Sequence, residues 1–100
     1  MQKYIDQVTN VLDEPELLCQ LAEEAAELAQ AALKLRRALT GDNPTPVTAD
    51  EAQRALVEEI ADVALCLDAL GLDTNNRAFM LQITRTMHKK SRRWAGRLSR

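Results

Sequence analysis

Two stretches of this chain repeat one pattern, and that pattern admits little besides paired helices. Stepping by fours and threes from Leu17 gives Leu17, Leu21, Glu24, Leu28, Ala31 and Leu35. The same stepping from Ala52 gives Ala52, Leu56, Glu59, Val63, Cys66 and Leu70. Such spacing puts each set on one face of an α-helix. Each face is apolar except at one position, and in both that position is a glutamate. A second acid follows three residues later, Glu27 in the first stretch and Asp62 in the second, on the same side of its helix. Bringing the two seams together would converge four carboxylates. Like charges that close repel, and taking each out of water costs several kcal/mol. A hard divalent cation with oxygen ligands is the natural compensation.

Capping and breaking residues set the rest of the layout. Tyr4, Ile5, Val8 and Leu12 predict a short amphipathic helix or turn over 3–12. Asp13-Glu14-Pro15-Glu16 predicts a helix start, with Asp13 as cap, Pro15 tolerated in the first turn and Glu16 at capping-box spacing. This helix is expected to reach about Ala38, where Lys34, Arg36 and Arg37 suit the C-terminal end of its dipole. The run from Thr40 to Pro46 cannot continue a helix. Thr48 and Glu51 open the next one, which Gly71 ends after Leu70. Asp73 or Thr74 is expected to cap a last helix carrying Phe79, Met80, Ile83 and Met87 and ending in the basic run 88–94. No stretch alternates with period two, so the fold class is all-α, a helical bundle.

A single domain spanning residues 1–100 is expected from the length, with a core modest enough to be helped by oligomerisation. The second long helix is apolar on more than its seam. Val57, Ile60, Ala64, Leu65 and Leu67 point elsewhere, which predicts a homodimer or homotetramer that completes the bundle.

Charge is lopsided behind a formal net charge of −2. Residues 1–73 hold all fifteen acids and five bases, while 74–100 hold no acid and eight bases. The basic helix end and tail occupy about 85–100. An acidic body facing a basic tail allows intramolecular pairing, or an anion bridging the tail and a bound cation. With only Trp94 for stacking, nucleic-acid binding is disfavoured. The two cysteines, Cys19 and Cys66, lack metal-ligand spacing and are expected to be buried thiols in a reducing cytoplasm. The longest apolar run, near Val63–Leu67, is too short to span a membrane.

A glutamate-rich helix ordinarily faces water, so solvated decoration is one account of the four acids and a cation site the other. Di-iron carboxylate bundles require a Glu-x-x-His motif from each of two helices. This chain has one histidine, His88, with no acid near it in sequence. Mg²⁺, with Mn²⁺ as the alternative, therefore suits the donor set better than zinc or iron.

Glu24-x-x-Glu27 followed after a loop by Glu59-x-x-Asp62 resembles the MazG-like all-α nucleotide pyrophosphohydrolases. The wording runs parallel: Glu-Glu-Ala-Ala-Glu-Leu, then Glu-Glu-Ile-Ala-Asp-Val, then Leu-Gly-Leu-Asp before another helix, over about residues 15–94. The resemblance implies Mg²⁺-dependent hydrolysis of a nucleoside triphosphate to monophosphate and pyrophosphate. It implies that Glu24, Glu27, Glu59 and Asp62 ligate the metal and form the catalytic set. It further implies a phosphate-binding Lys-x-x-x-Arg element on the last helix, a spacing that Lys89 and Arg93 have, with Lys90 and Arg92 leaving the register open. Glu23 and Glu58 adjoin the ligand positions, as outer-shell bases or as plain surface, with surface preferred. Trp94 is expected to pack against a neighbouring subunit rather than stack on a base. The rival to an enzyme is a non-catalytic helical module that keeps the acidic site and binds a nucleotide or a partner.

Overall fold

The computed structural model describes residues 1–41 and 46–99, and its described residues form four α-helices and no strand. They are α1 (Gln2–Thr9), α2 (Glu14–Thr40), α3 (Ala49–Ala69) and α4 (Arg77–Leu98). Asp42, Asn43, Pro44 and Thr45, in the expected interhelical loop, lie outside the described residues. None of the described helices is long and apolar enough to cross a membrane.

The predicted caps organise α2 and α3. Asp13 accepts a hydrogen bond from the Glu16 amide at 2.9 Å, and Thr48 accepts one from the Glu51 amide at 3.1 Å. Each satisfies an amide that the first helical turn would leave without a partner. The α2 helix runs two residues past the expected Ala38. The Thr40 hydroxyl donates back to the Arg36 carbonyl at 3.0 Å, and Gly41 ends the helix at φ 72°, a left-handed conformation that costs glycine little.

The chain divides into two compact units, residues 1–70 and 71–100. In the first, α2 and α3 pack together and α1 lies against α3. Their register is antiparallel. Leu17 shares a groove with Leu65, Cys66 and Ala69, whereas Ala31 shares one with Ala55. Every residue of the two predicted seams is buried or half-buried. Among the described residues of this unit, the buried ones are Ile5, Leu17, Ala31, Ala52 and Cys66. Small side chains at Ala31 and Ala52 let the seams approach closely. Off the seam, Val57, Ile60 and Leu65 stay 59%, 50% and 45% exposed, Ala64 is exposed too, and Leu67 is half-buried.

The second unit corrects two expectations. Neither Asp73 nor Thr74 caps the last helix. The cap is Asn76, whose side-chain carbonyl accepts from the Phe79 amide at 3.1 Å. Asp73 is used one step earlier, accepting from the amide and side chain of Asn75 at 3.2 and 3.3 Å, while the Asn76 amide donates to the Asp73 carbonyl. The Asn76 side chain also donates to the Gly71 carbonyl at 3.0 Å, which closes the turn. The α4 helix continues beyond Trp94 to Leu98. Phe79, Met80 and Ile83 are half-buried, and Met87 is exposed.

Candidate metal centre

The centre follows from the antiparallel register. Glu24 and Glu27 are one turn apart on α2, Glu59 and Asp62 one turn apart on α3, and the two pairs meet across the seam. One carboxylate oxygen from each of the four lies within 4.8 Å of all the others. Glu24, Glu59 and Asp62 are half-buried and Glu27 is exposed, so the cluster has a dry side and a wet side.

Hydrogen bonding leaves it incomplete. The Gln20 side-chain amide donates to Glu24 Oε1 at 2.8 Å, from one turn earlier on α2. Glu24 Oε2 and Glu59 Oε2 are buried and have no hydrogen-bond partner. A carboxylate oxygen cut off from water without a donor is costly, and other carboxylates beside it make it more so. Both orphaned atoms belong to the two glutamates in the apolar seams. An all-oxygen donor set with two unsatisfied anionic atoms fits a hard divalent cation such as Mg²⁺ or Mn²⁺.

Cys66 lies one turn beyond Asp62 on the α3 seam. Burial pushes its thiol above the usual range, and Glu24 and then Asp62 push it further in the same direction. Cys66 is not among the four residues whose ligand atoms cluster. Cys19, expected to be buried, is exposed instead. It sits two residues from Leu17, roughly 200° around the helix and off the seam.

Glu23 and Glu58 are exposed. Glu58 lines a separate groove with Asp50, Gln53, Arg54 and Val57, outside the four-carboxylate cluster. In the second unit, Lys89, Arg92 and Arg93 line one concavity of α4, the pattern that i, i+3 and i+4 positions produce, while Lys90 is exposed elsewhere on the helix. Trp94 is 65% exposed and lines another concavity with Arg97 and Leu98.

Sequence reasoning did not single out Gln20, although a glutamine four residues before a glutamate is a recognisable helical pair. Compared with protein-family models, with curated proteins and with solved structures, the chain matches none.

Proposed function

We propose that the protein is a Mg²⁺-dependent nucleoside triphosphate pyrophosphohydrolase of the MazG-like type, acting as a homodimer or homotetramer. One observation carries this reading: four carboxylates from two helices converge, and two of their buried oxygens lack any partner. The resemblance of the two acidic motifs supplies the reaction. Glu24, Glu27, Glu59 and Asp62 would hold the cation, which when bound supplies charge neutralisation and Lewis-acid polarisation at phosphoryl oxygens.

The remaining roles fall to the chain itself. Gln20 fixes one oxygen of Glu24 and so orients the other. Glu27, exposed, gives the cluster its opening to solvent and substrate. Lys89 and Arg93 are proposed to bind phosphate, Arg93 with the forked geometry that suits it. Exposed Val57, Ile60 and Leu65 support assembly through α3. The two free cysteines suit a reducing compartment such as the cytoplasm.

The deciding experiment incubates the protein with a panel of ribo- and deoxyribonucleoside triphosphates, with Mg²⁺ and with chelator, and identifies the products. Monophosphate plus pyrophosphate, dependent on Mg²⁺, is expected for at least one substrate. Orthophosphate as the first product, or no turnover across the panel, overturns it. The same exposed face of α3 favours a second reading, a binding module whose metal site is structural. Mg²⁺ binding and self-association without turnover would identify that.

A further inference from the structure

The carboxylate centre opens into a groove of about 690 Å³ between α2 and α3, and the far end of that groove is basic. Glu27 and Glu59 line one end, and Lys34 and Arg37 the other. The α2 residues fall on one face because 27, 34 and 37 are separated by seven and three positions. Along the axis Lys34 stands about 10 Å from Glu27, and Arg37 about 15 Å. Side chains on a helix lean toward its N-terminus, so both cationic heads tilt back toward the carboxylates. Opposite them, Ala55 stands one turn before Glu59 on α3 and keeps that wall low, where a long side chain would fill the groove. No hydrogen bond or ion pair joins Lys34 or Arg37 to a carboxylate among the described residues.

A groove acidic at one end and basic at the other suits neither a simple anion nor a simple cation. It fits an elongated anion that carries a divalent cation at one point and bare negative charge beyond it. We propose that Lys34 and Arg37 form a polyphosphate subsite, holding the terminal phosphates of a Mg²⁺-polyphosphate whose cation sits at the four carboxylates. The inference rests on the proposed function for the cation site and for the nucleotide as natural ligand. Under that reading the phosphates held here are those that leave as pyrophosphate, and the two cations stabilise the charge they acquire.

The test measures binding of inorganic tripolyphosphate by calorimetry, in Mg²⁺ and in chelator, with the full chain. Wild type should bind only with Mg²⁺. Lys34→Gln and Arg37→Gln should each raise Kd about tenfold, the loss of one charge-assisted contact. Lys34→Arg should bind within about twofold of wild type, since it keeps a positive charge at a similar reach and phosphate accepts either head group. Arg54→Gln removes an equal charge from the separate groove shared with Asp50 and Glu58 and should change nothing. Far-ultraviolet circular dichroism should show all variants folded, because Lys34 is exposed and Arg37 only half-buried.

The outcomes separate this inference from the proposed function. Turnover of a nucleoside triphosphate with unchanged KM in both glutamine variants, and unchanged tripolyphosphate binding, sinks the subsite and leaves the enzyme standing. Mg²⁺-dependent binding that the two variants weaken, without turnover of any nucleotide, sinks the pyrophosphohydrolase and keeps the subsite. Absence of tripolyphosphate binding by wild type sinks the subsite outright, as does equal weakening by Arg54→Gln.

Discussion

Glu59→Gln probes the centre most directly, because it keeps the shape of a buried side chain and removes its charge. Glu59 Oε2 is buried without a partner, and the four ligand oxygens lie within 4.8 Å of one another. At that spacing two unit charges repel by ~3.5 kcal/mol for an effective dielectric of about 20. Water on the Glu27 side screens this, and the lost cost of desolvating the charge acts in the same direction. A net stabilisation of about 1 kcal/mol without metal is the reasonable scale, which raises Tm by about 4–8 °C in a domain this size. In Mg²⁺ at a hundred times Kd, wild type gains about 2.7 kcal/mol. The variant, lacking one anionic ligand, gains less, so the order of stability reverses. The assay is a pair of thermal melts near neutral pH, in chelator and in Mg²⁺, at one protein concentration so that assembly does not confound the comparison. Equal Mg²⁺ shifts for both proteins would refute the cation site. So would a variant markedly less stable in chelator, since that would mean protein partners hold the Glu59 charge.

Three further outcomes are expected. Light scattering at micromolar concentration should give a dimer or tetramer, and a monomer would leave the exposed apolar face of α3 without its proposed partner. Lys89→Ala and Arg93→Ala should each weaken nucleotide binding roughly tenfold while leaving Mg²⁺ affinity nearly intact; unchanged KM and kcat would make the α4 basic cluster a solvated helix end. Thiol labelling at pH 8 should modify Cys19 quickly and Cys66 only on unfolding, because Cys66 is buried and its raised pKa suppresses the thiolate; equal rates in the native protein would contradict the packing of the seam.

The two seams were legible because helical periodicity is a local property. Each position three or four residues on returns to the same face, and all twelve seam residues are buried or half-buried. Convergence of the carboxylates was legible for the same reason, since it follows once two marked faces pack together. The α4 cap was misplaced because Asp73, Thr74, Asn75 and Asn76 are all plausible caps in sequence. Which one serves is decided by a turn that Asn76 closes onto the Gly71 carbonyl. Cys19 was misjudged because apolar neighbours in sequence are not neighbours in space on a helix. Lys34 and Arg37 looked like dipole-matched residues at a helix end. Their groove depends on the register between α2 and α3, which places Ala55 opposite them, and no spacing within one helix reveals that.

The position of the acids on the seam ties the candidate site to assembly. A glutamate in each seam removes one apolar residue per helix from a core whose buried members, among the described residues, are few and mostly small. A chain of 100 residues has little core to spare. The apolar area missing from its interior lies instead on the outside of α3, at Val57, Ile60 and Leu65. Burying that face against a second copy would recover stability that the acidic seam forgoes. Ile60 stands about 100° around α3 from Glu59 and off the seam, so the contact would act on the centre by firming the α2–α3 packing that holds the two carboxylate pairs together, not by covering it. A cation at the four carboxylates favours that same packing, so assembly and cation binding should reinforce one another. Mg²⁺ should tighten self-association of the wild type, and chelation should loosen it, whereas Glu59→Gln should associate almost equally in both.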